Sequence, residues 1–186
     1  MDTSLIRDTY LSSAVIKKGD YDYVINSMSD GNPAMSKELL DQITDCFIEI
    51  CDLDCDIILA PEAMALPYGT ALTLRTGIPM QIIRKRATGL PGEIVFTSST
   101  GYSKSDMFLN FIPEGSRVMI VDDIISTGGT LVAMAATLKE HGIEVTEAAM
   151  VLNKSKDFES LLKRIPFPVR YILRVAVENG KPVLIE

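Results

Sequence analysis

Arg117-Val118-Met119-Ile120-Val121-Asp122-Asp123-Ile124-Ile125-Ser126-Thr127-Gly128-Gly129-Thr130 is the stretch from which the fold can be read. The unbroken apolar run Val118–Val121 predicts a strand buried on both faces. Two carboxylates close the strand, a loop of small residues follows, and a helix is predicted from about Gly129 to His141, ended by Gly142. A strand, a glycine loop and a helix start together make an anion cradle. The glycines let the backbone approach closely, and the unpaired N–H groups of the first turn point at the anion. Thr127 and Thr130 add hydroxyl donors, and the helix dipole favours negative charge by ~0.3–1 kcal/mol.

Two adjacent aspartates beside an anion repel it, unless the ligand also offers hydroxyls. A carboxylate accepts hydrogen bonds from a ribose diol, and can hold Mg²⁺ directly or through water. A ribose 5-phosphate has both groups at the spacing of Asp122-Asp123 and the loop. The loop has no Lys-Ser/Thr pair, so it is no Walker A, and it is not G-x-G-x-x-G.

Working outward, strand and helix patterns alternate. Leu39, Leu40, Ile43, Phe47 and Ile50 fall at helical spacing behind Ser36, a predicted N-cap. Asp56–Ala60 is a short apolar strand, a helix is predicted from about Leu66 to Thr76, and Pro79–Arg84 is the next strand. Residues 87–105 hold Gly89, Pro91, Gly92, Gly101 and Thr97-Ser98-Ser99-Thr100, and are expected to form a long, functional loop. Glu144–Leu152 is a strand, Phe158–Leu162 a short helix, and Val169–Val177 a strand before an Asn179-Gly180 hairpin turn. The first 35 residues are mixed, with Asp20–Ile25 alternating as a strand. Apolar strands alternating with helices imply an α/β fold with a parallel sheet, whose ligands bind at the C-terminal strand ends. Arg84-Lys85-Arg86 stands at such an end, where three cations suit a polyanion.

The net charge of −7 disfavours a nucleic-acid partner, which needs a basic face, but leaves room for a small anionic substrate. No apolar run reaches the roughly 18 residues of a membrane span, and Met1–Lys18 has no leader pattern, so a cytoplasmic protein is expected. Cys46, Cys51 and Cys55 are odd in number and far from the single His141, so reduced, buried thiols are expected rather than a zinc site. His141, just before Gly142, reads as part of a helix C-terminus.

The central segment resembles the 5-phosphoribosyl-1-pyrophosphate (PRPP) signature of the type I phosphoribosyltransferases. That signature is four apolar residues, two acidic, two apolar and a loop ending in Thr-Gly-Gly-Thr, complete here from Val118 to Thr130. Pro61-Glu62-Ala63-Met64-Ala65-Leu66 stands where that family has its pyrophosphate loop. Arg84-Lys85-Arg86 followed by Leu90-Pro91-Gly92 resembles adenine phosphoribosyltransferases. With Ser29-Asp30-Gly31 and Ser99–Lys104, the whole chain is similar to the archaeal hypoxanthine/guanine phosphoribosyltransferases, which are built on the adenine-enzyme pattern.

The resemblance implies one domain, 1–186, with a type I core at about 36–152 and a small hood from about 1–35 and 153–186. It implies that Asp122 and Asp123 are catalytic, holding the ribose diol, and that Ser126, Thr127, Gly128, Gly129 and Thr130 bind the 5-phosphate. Glu62, Ala63, Arg84 and Lys85 would meet pyrophosphate. Tyr102 and Lys104 would belong to a closing lid, and Tyr23, Val24 and Ile25 would wall the base. It further implies Mg²⁺ held through PRPP and by Asp122 or Asp123, a purine base as second substrate, and a homodimer. The chain departs from the family in two places. Ser126 replaces the acidic residue of hypoxanthine-guanine enzymes, and Ser99–Tyr102 lacks the lid Glu of adenine enzymes. Hypoxanthine/guanine and adenine therefore both stand as bases, beside a non-catalytic PRPP sensor.

Overall fold

The computed structural model describes residues 1–19, 21–100 and 103–185. Its elements in chain order are α1 (Ser4–Leu11), β1 (Ala14–Lys18), β2 (Tyr21–Ile25), α2 (Ser27–Asp30), α3 (Lys37–Ile50), β3 (Ile57–Pro61), α4 (Ala65–Thr76) and β4 (Met80–Ile83). There follow β5 (Ile94–Thr100), β6 (Ser103–Leu109), β7 (Arg117–Ile125), α5 (Gly129–Glu140), β8 (Glu144–Asn153), α6 (Phe158–Leu162), β9 (Val169–Glu178) and β10 (Lys181–Leu184).

The predicted α/β class holds. The central sheet has the order β10-β9-β8-β7-β3-β4. All neighbours pair in parallel except β9 and β10, which form a hairpin. Asn179 and Gly180 turn it, with φ of 50° and 72°, the pair of left-handed residues a tight hairpin favours. From β3 the chain steps outward to β4; from β7 it steps the other way, to β8 and β9. The order therefore reverses between β3 and β7, and a parallel sheet opens its ligand crevice at the C-terminal ends of such a pair.

Both faces of the sheet are covered. On one, Ile43, Phe47, Tyr68 and Leu72 from α3 and α4 pack with Met119 and Val121. On the other, Leu131, Met134 and Leu138 from α5 pack with Val118 and Ile120. The alternation along β7 thus separates the two cores. Ser36 caps α3 as expected, its Oγ accepting from Leu39 N at 3.2 Å. Gly69 lets α4 lie close on the sheet, since a Cβ there would sit 2.5 Å from Met80 Sδ and 3.0 Å from Ala60 Cβ.

Two expectations are corrected and one segment is filled in. Residues 87–105 are not one long loop: β5 and β6 form an antiparallel hairpin, from Ile94↔Leu109 to Thr100↔Ser103. Ile94, Phe96, Met107 and Leu109 anchor it in the second core, and an isolated bridge joins Phe108 to Arg84. Residues 153–186 do not stay outside the core, because β9 and β10 continue the central sheet. The first 35 residues also contain a helix, α1, whose Ile6 and Tyr10 are buried one turn apart. Asp20, the expected start of β2, lies outside the described residues.

Candidate active site

β7 carries its carboxylates to the crevice. Asp122 lines a cavity of about 190 Å³ together with Ile120, Ser126, Thr127, Gly128, Gly129 and Thr130. The structure therefore brings the first aspartate and the whole expected phosphate loop to one hollow. No side chain caps α5, whose N-cap position is Gly128 in the left-handed region at φ 67°. Only glycine takes that conformation without strain. Space also demands it: a Cβ on Gly128 would lie 2.3 Å from Leu161 Cδ1. Leu161, buried on α6, backs the loop from behind.

Asp123 follows Met119 and Val121 towards the other face, the side of α4. The two carboxyl groups still interact, and Asp123 N donates to Asp122 Oδ1 at 2.9 Å. Desolvation pushes both carboxyls up from the ordinary range. Asp123 lies well above it, helped by the negative charge of Asp122. Hydrogen bonds from Asp123 and the charge of Lys85 hold Asp122 back down. The cation at the end of β4 therefore acts on the carboxylate at the end of β7.

The Glu62-Ala63-Met64 turn joins β3 to α4, and its Glu62–Ala63 peptide is cis. Glu62 N donates to Ile83 O at 2.9 Å, and the Glu62 carboxylate accepts from Lys85 N. Glu62 is thus occupied in tying the turn to the end of β4. Ala63 is exposed. The start of α4 has neither a side-chain cap nor an acidic residue in its first turn. Leu66 N donates to Ala63 O at 3.3 Å and Pro67 has no N–H, so Ala65 N is the first amide there that can meet an anion. Arg84, Lys85 and Arg86 are exposed and form no ion pair among the described residues. Arg84 is fixed by its backbone, which exchanges hydrogen bonds with Phe108 at 2.9 and 2.8 Å.

Of the expected base wall, Val24 is buried in the first core, while Tyr23 and Ile25 share the opposite face of β2 and are half-buried. The Tyr23 hydroxyl donates to Asp30. Tyr102 and the side chain of Lys104 lie outside the described residues. Sequence reasoning missed Tyr68, fully buried on α4, whose hydroxyl donates to Met28 O at 2.5 Å. It also missed Lys154, whose Nζ donates to Asp22 O at 2.9 Å and links the end of β8 to the β1–β2 hairpin. Each stands in a stretch that reads as plain core or plain turn, so no local pattern marks it.

Residues 35–164 match the phosphoribosyl transferase domain family. The chain belongs to that family. This phosphoribosyltransferase is 41% identical over 179 residues to the hypoxanthine/guanine phosphoribosyltransferase of Methanosalsum zhilinae, covering 96% of this chain and 94% of the relative. It is 44% identical over 156 residues to the protein of the same name from Methanosarcina acetivorans, covering 84% and 82%. Among solved structures, the adenine phosphoribosyltransferase of Rhodothermus marinus superposes with a TM-score of 0.73 over 93% of this chain and 99% of that one, at 19% identity. That likeness is one of fold.

Proposed function

We propose that this phosphoribosyltransferase serves purine salvage, transferring the 5-phosphoribosyl group of PRPP to hypoxanthine or guanine and giving IMP or GMP and pyrophosphate. The observation that carries the reading is the hollow in which Asp122 faces the uncapped loop Ser126–Thr130, at the point where the strand order reverses. The choice of base rests on relatives named for hypoxanthine and guanine at 41–44% identity. The adenine enzyme is the alternative, supported by likeness of fold and by the resemblance of Arg84-Lys85-Arg86 and Leu90-Pro91-Gly92 to adenine enzymes.

In this reading Ser126, Thr127, Gly128, Gly129 and Thr130 hold the 5-phosphate, and Asp122 and Asp123 accept the ribose hydroxyls. Clamped at both ends, C1 of the sugar is oriented for displacement, and orientation removes much of the entropic barrier. The C1–pyrophosphate bond breaks, positive charge grows on the ribose, and a purine ring nitrogen bonds to C1 and releases its proton to solvent as pyrophosphate leaves. The Ala65 amide at the start of α4, near Ala63, with Arg84 and Lys85, receives the departing charge. Donors aimed at developing charge are worth roughly 3–4 kcal/mol each.

Mg²⁺ fits this donor set. It is commonly held by one or two carboxylates with substrate phosphates completing the shell, and Asp122 and Asp123 offer two. Among the described residues no group of three or more metal-ligating side chains comes together. When bound, the ion supplies Lewis-acid neutralisation of pyrophosphate.

The hood is proposed as α1 and the β1–β2 hairpin, with Tyr23 and Ile25 towards the base, and Tyr102 and Lys104 are proposed as lid residues. Cytoplasmic residence and a homodimer are proposed from the family resemblance. No helix among the described residues is long and apolar enough to cross a membrane.

The test is to offer hypoxanthine, guanine, adenine and xanthine together with PRPP and Mg²⁺, and to identify the nucleotides by mass. IMP and GMP are expected. AMP as the main product would move the assignment to the adenine enzyme, and PRPP binding with no nucleotide would favour a sensor.

A further inference from the structure

The segment Asn26–Gly31 lies between the base side and the pyrophosphate turn. It holds α2, which at four residues is too short to stand by its own hydrogen bonds. Side chains hold it instead. Asn26 Oδ1 accepts from Met28 N at 2.8 Å and Ser29 N at 3.1 Å. The Asp30 carboxylate accepts from the Tyr23 hydroxyl, from Ser29 Oγ at 2.9 Å and from Asn26 N at 3.3 Å. Gly31 closes the helix in the left-handed region at φ 62°, where a Cβ would touch the Met64 thioether at 3.8 Å. One end of the segment thus grips Tyr23, and the other rests on the pyrophosphate turn.

Tyr68 supplies the remaining attachment. Its ring is fully buried, edge-on to Phe47 with 6.2 Å between centroids. Its hydroxyl donates to the carbonyl of Met28, itself fully buried, at 2.5 Å. No other donor to that carbonyl occurs among the described residues, and a buried carbonyl left unpaired is costly. The same phenol sits close enough to Asp123 for that carboxylate to act on it. A single side chain on the first turns of α4 therefore touches the α2 segment and neighbours the ribose carboxylate.

We infer that Tyr68 is a positioning residue that couples occupancy of the pyrophosphate turn to binding of the base, by holding the Asn26–Gly31 segment against α4. The inference rests on the function proposed above. With the tether in place, an anion that fixes the start of α4 also fixes the segment carrying Asp30 and, through it, Tyr23. Coupling of this kind is reciprocal and commonly changes affinity by roughly 5- to 150-fold.

The experiment compares the full chain with Tyr68→Phe, which keeps the ring and removes the hydroxyl, and with Phe47→Leu, which loosens the same packing and leaves the hydroxyl. Steady-state pyrophosphate release gives kcat and the KM for base and for PRPP, and a thermal melt gives stability. Because the coupling is reciprocal, Tyr68→Phe is expected to raise the KM for base at saturating PRPP and the KM for PRPP at saturating base together, each roughly fivefold or more. Phe47→Leu is expected to lower the melting temperature with both KM values held. If Tyr68→Phe does not fold, Gly31→Ala, which strains the same segment at its left-handed backbone of φ 62°, carries the same expectation. Unchanged KM for base in Tyr68→Phe, a rise in one KM alone, or the same rises in Phe47→Leu, would overturn the inference and leave the proposed function standing. Absence of turnover by the parent chain with every purine base would overturn the proposed function, and this inference with it.

Discussion

Asp123 holds a carboxyl whose proton is kept far above the usual range by burial and by Asp122. The sign of its effect on stability follows from linkage. A carboxyl raised in the folded state contributes stability that is fully present below its unfolded value, near 4, and is lost as pH rises through its folded value. In the ligand-free chain Asp123→Asn should therefore raise the melting temperature at pH 8 and change it less at pH 4. A lower melting temperature at pH 8 would show that the carboxylate is already satisfied. If Asp123 binds the ribose as proposed, the same change should lower kcat/KM for PRPP at least tenfold, about 1.4 kcal/mol or more, because the amide loses the charge and replaces one acceptor oxygen with an NH2 donor. The thiols are also predictable at this scale. Burial pushes Cys51 up to about 12, and Cys46 and Cys55 to about 11. All three should react slowly with a thiol reagent at pH 8 in the native protein and quickly in denaturant; rapid native labelling would contradict the packing around them.

Among the elements, α6 bears on the phosphate loop without touching the crevice. Asp157 Oδ1 accepts from Ser160 N at 3.0 Å at its start, and Leu161 fills the space that a side chain on Gly128 would need. Asp157→Ala should cost about 1 kcal/mol, as lost caps do, with a modest rise in the KM for PRPP; an unchanged melt would show that α6 needs no cap. Gly128→Val meets both the left-handed backbone and Leu161, and should abolish PRPP binding measured by calorimetry. Normal binding would remove the loop from the site. The elements also show where sequence is readable. β7 and the loop after it announced themselves because strand, carboxylates and glycines are contiguous. The β5–β6 hairpin did not. Ile94 and Phe96 alternate as a strand should, but Thr97–Thr100 extend it with polar residues that resemble a loop. α1 is short, and its two buried side chains, Ile6 and Tyr10, leave too narrow a stripe to stand out from a mixed segment.

In the whole molecule, the parallel sheet and its ligand end were legible in the alternation of strand and helix, because continuous apolar strands need cover on both faces. What the chain could not show locally is how its ends close. The last two strands join the central sheet, and the α2 segment reaches the site through Tyr68 and Met64, contacts across 40 and 33 residues of sequence respectively (Met28 to Tyr68, Gly31 to Met64). Such pairings are set by topology, and no periodicity records them. The joint reading is a phosphoribosyltransferase in which Asp122 and the loop Ser126–Thr130 line one hollow at the reversal of strand order, with Asp123 turned towards α4. Pyrophosphate release from PRPP with Mg²⁺ and hypoxanthine, measured for the parent chain and for Asp123→Asn, tests it most directly. Rapid release by the parent, dependent on the base and at least tenfold weaker in kcat/KM for the variant, is the predicted result; no base-dependent release by the parent, or equal release by both, would contradict it.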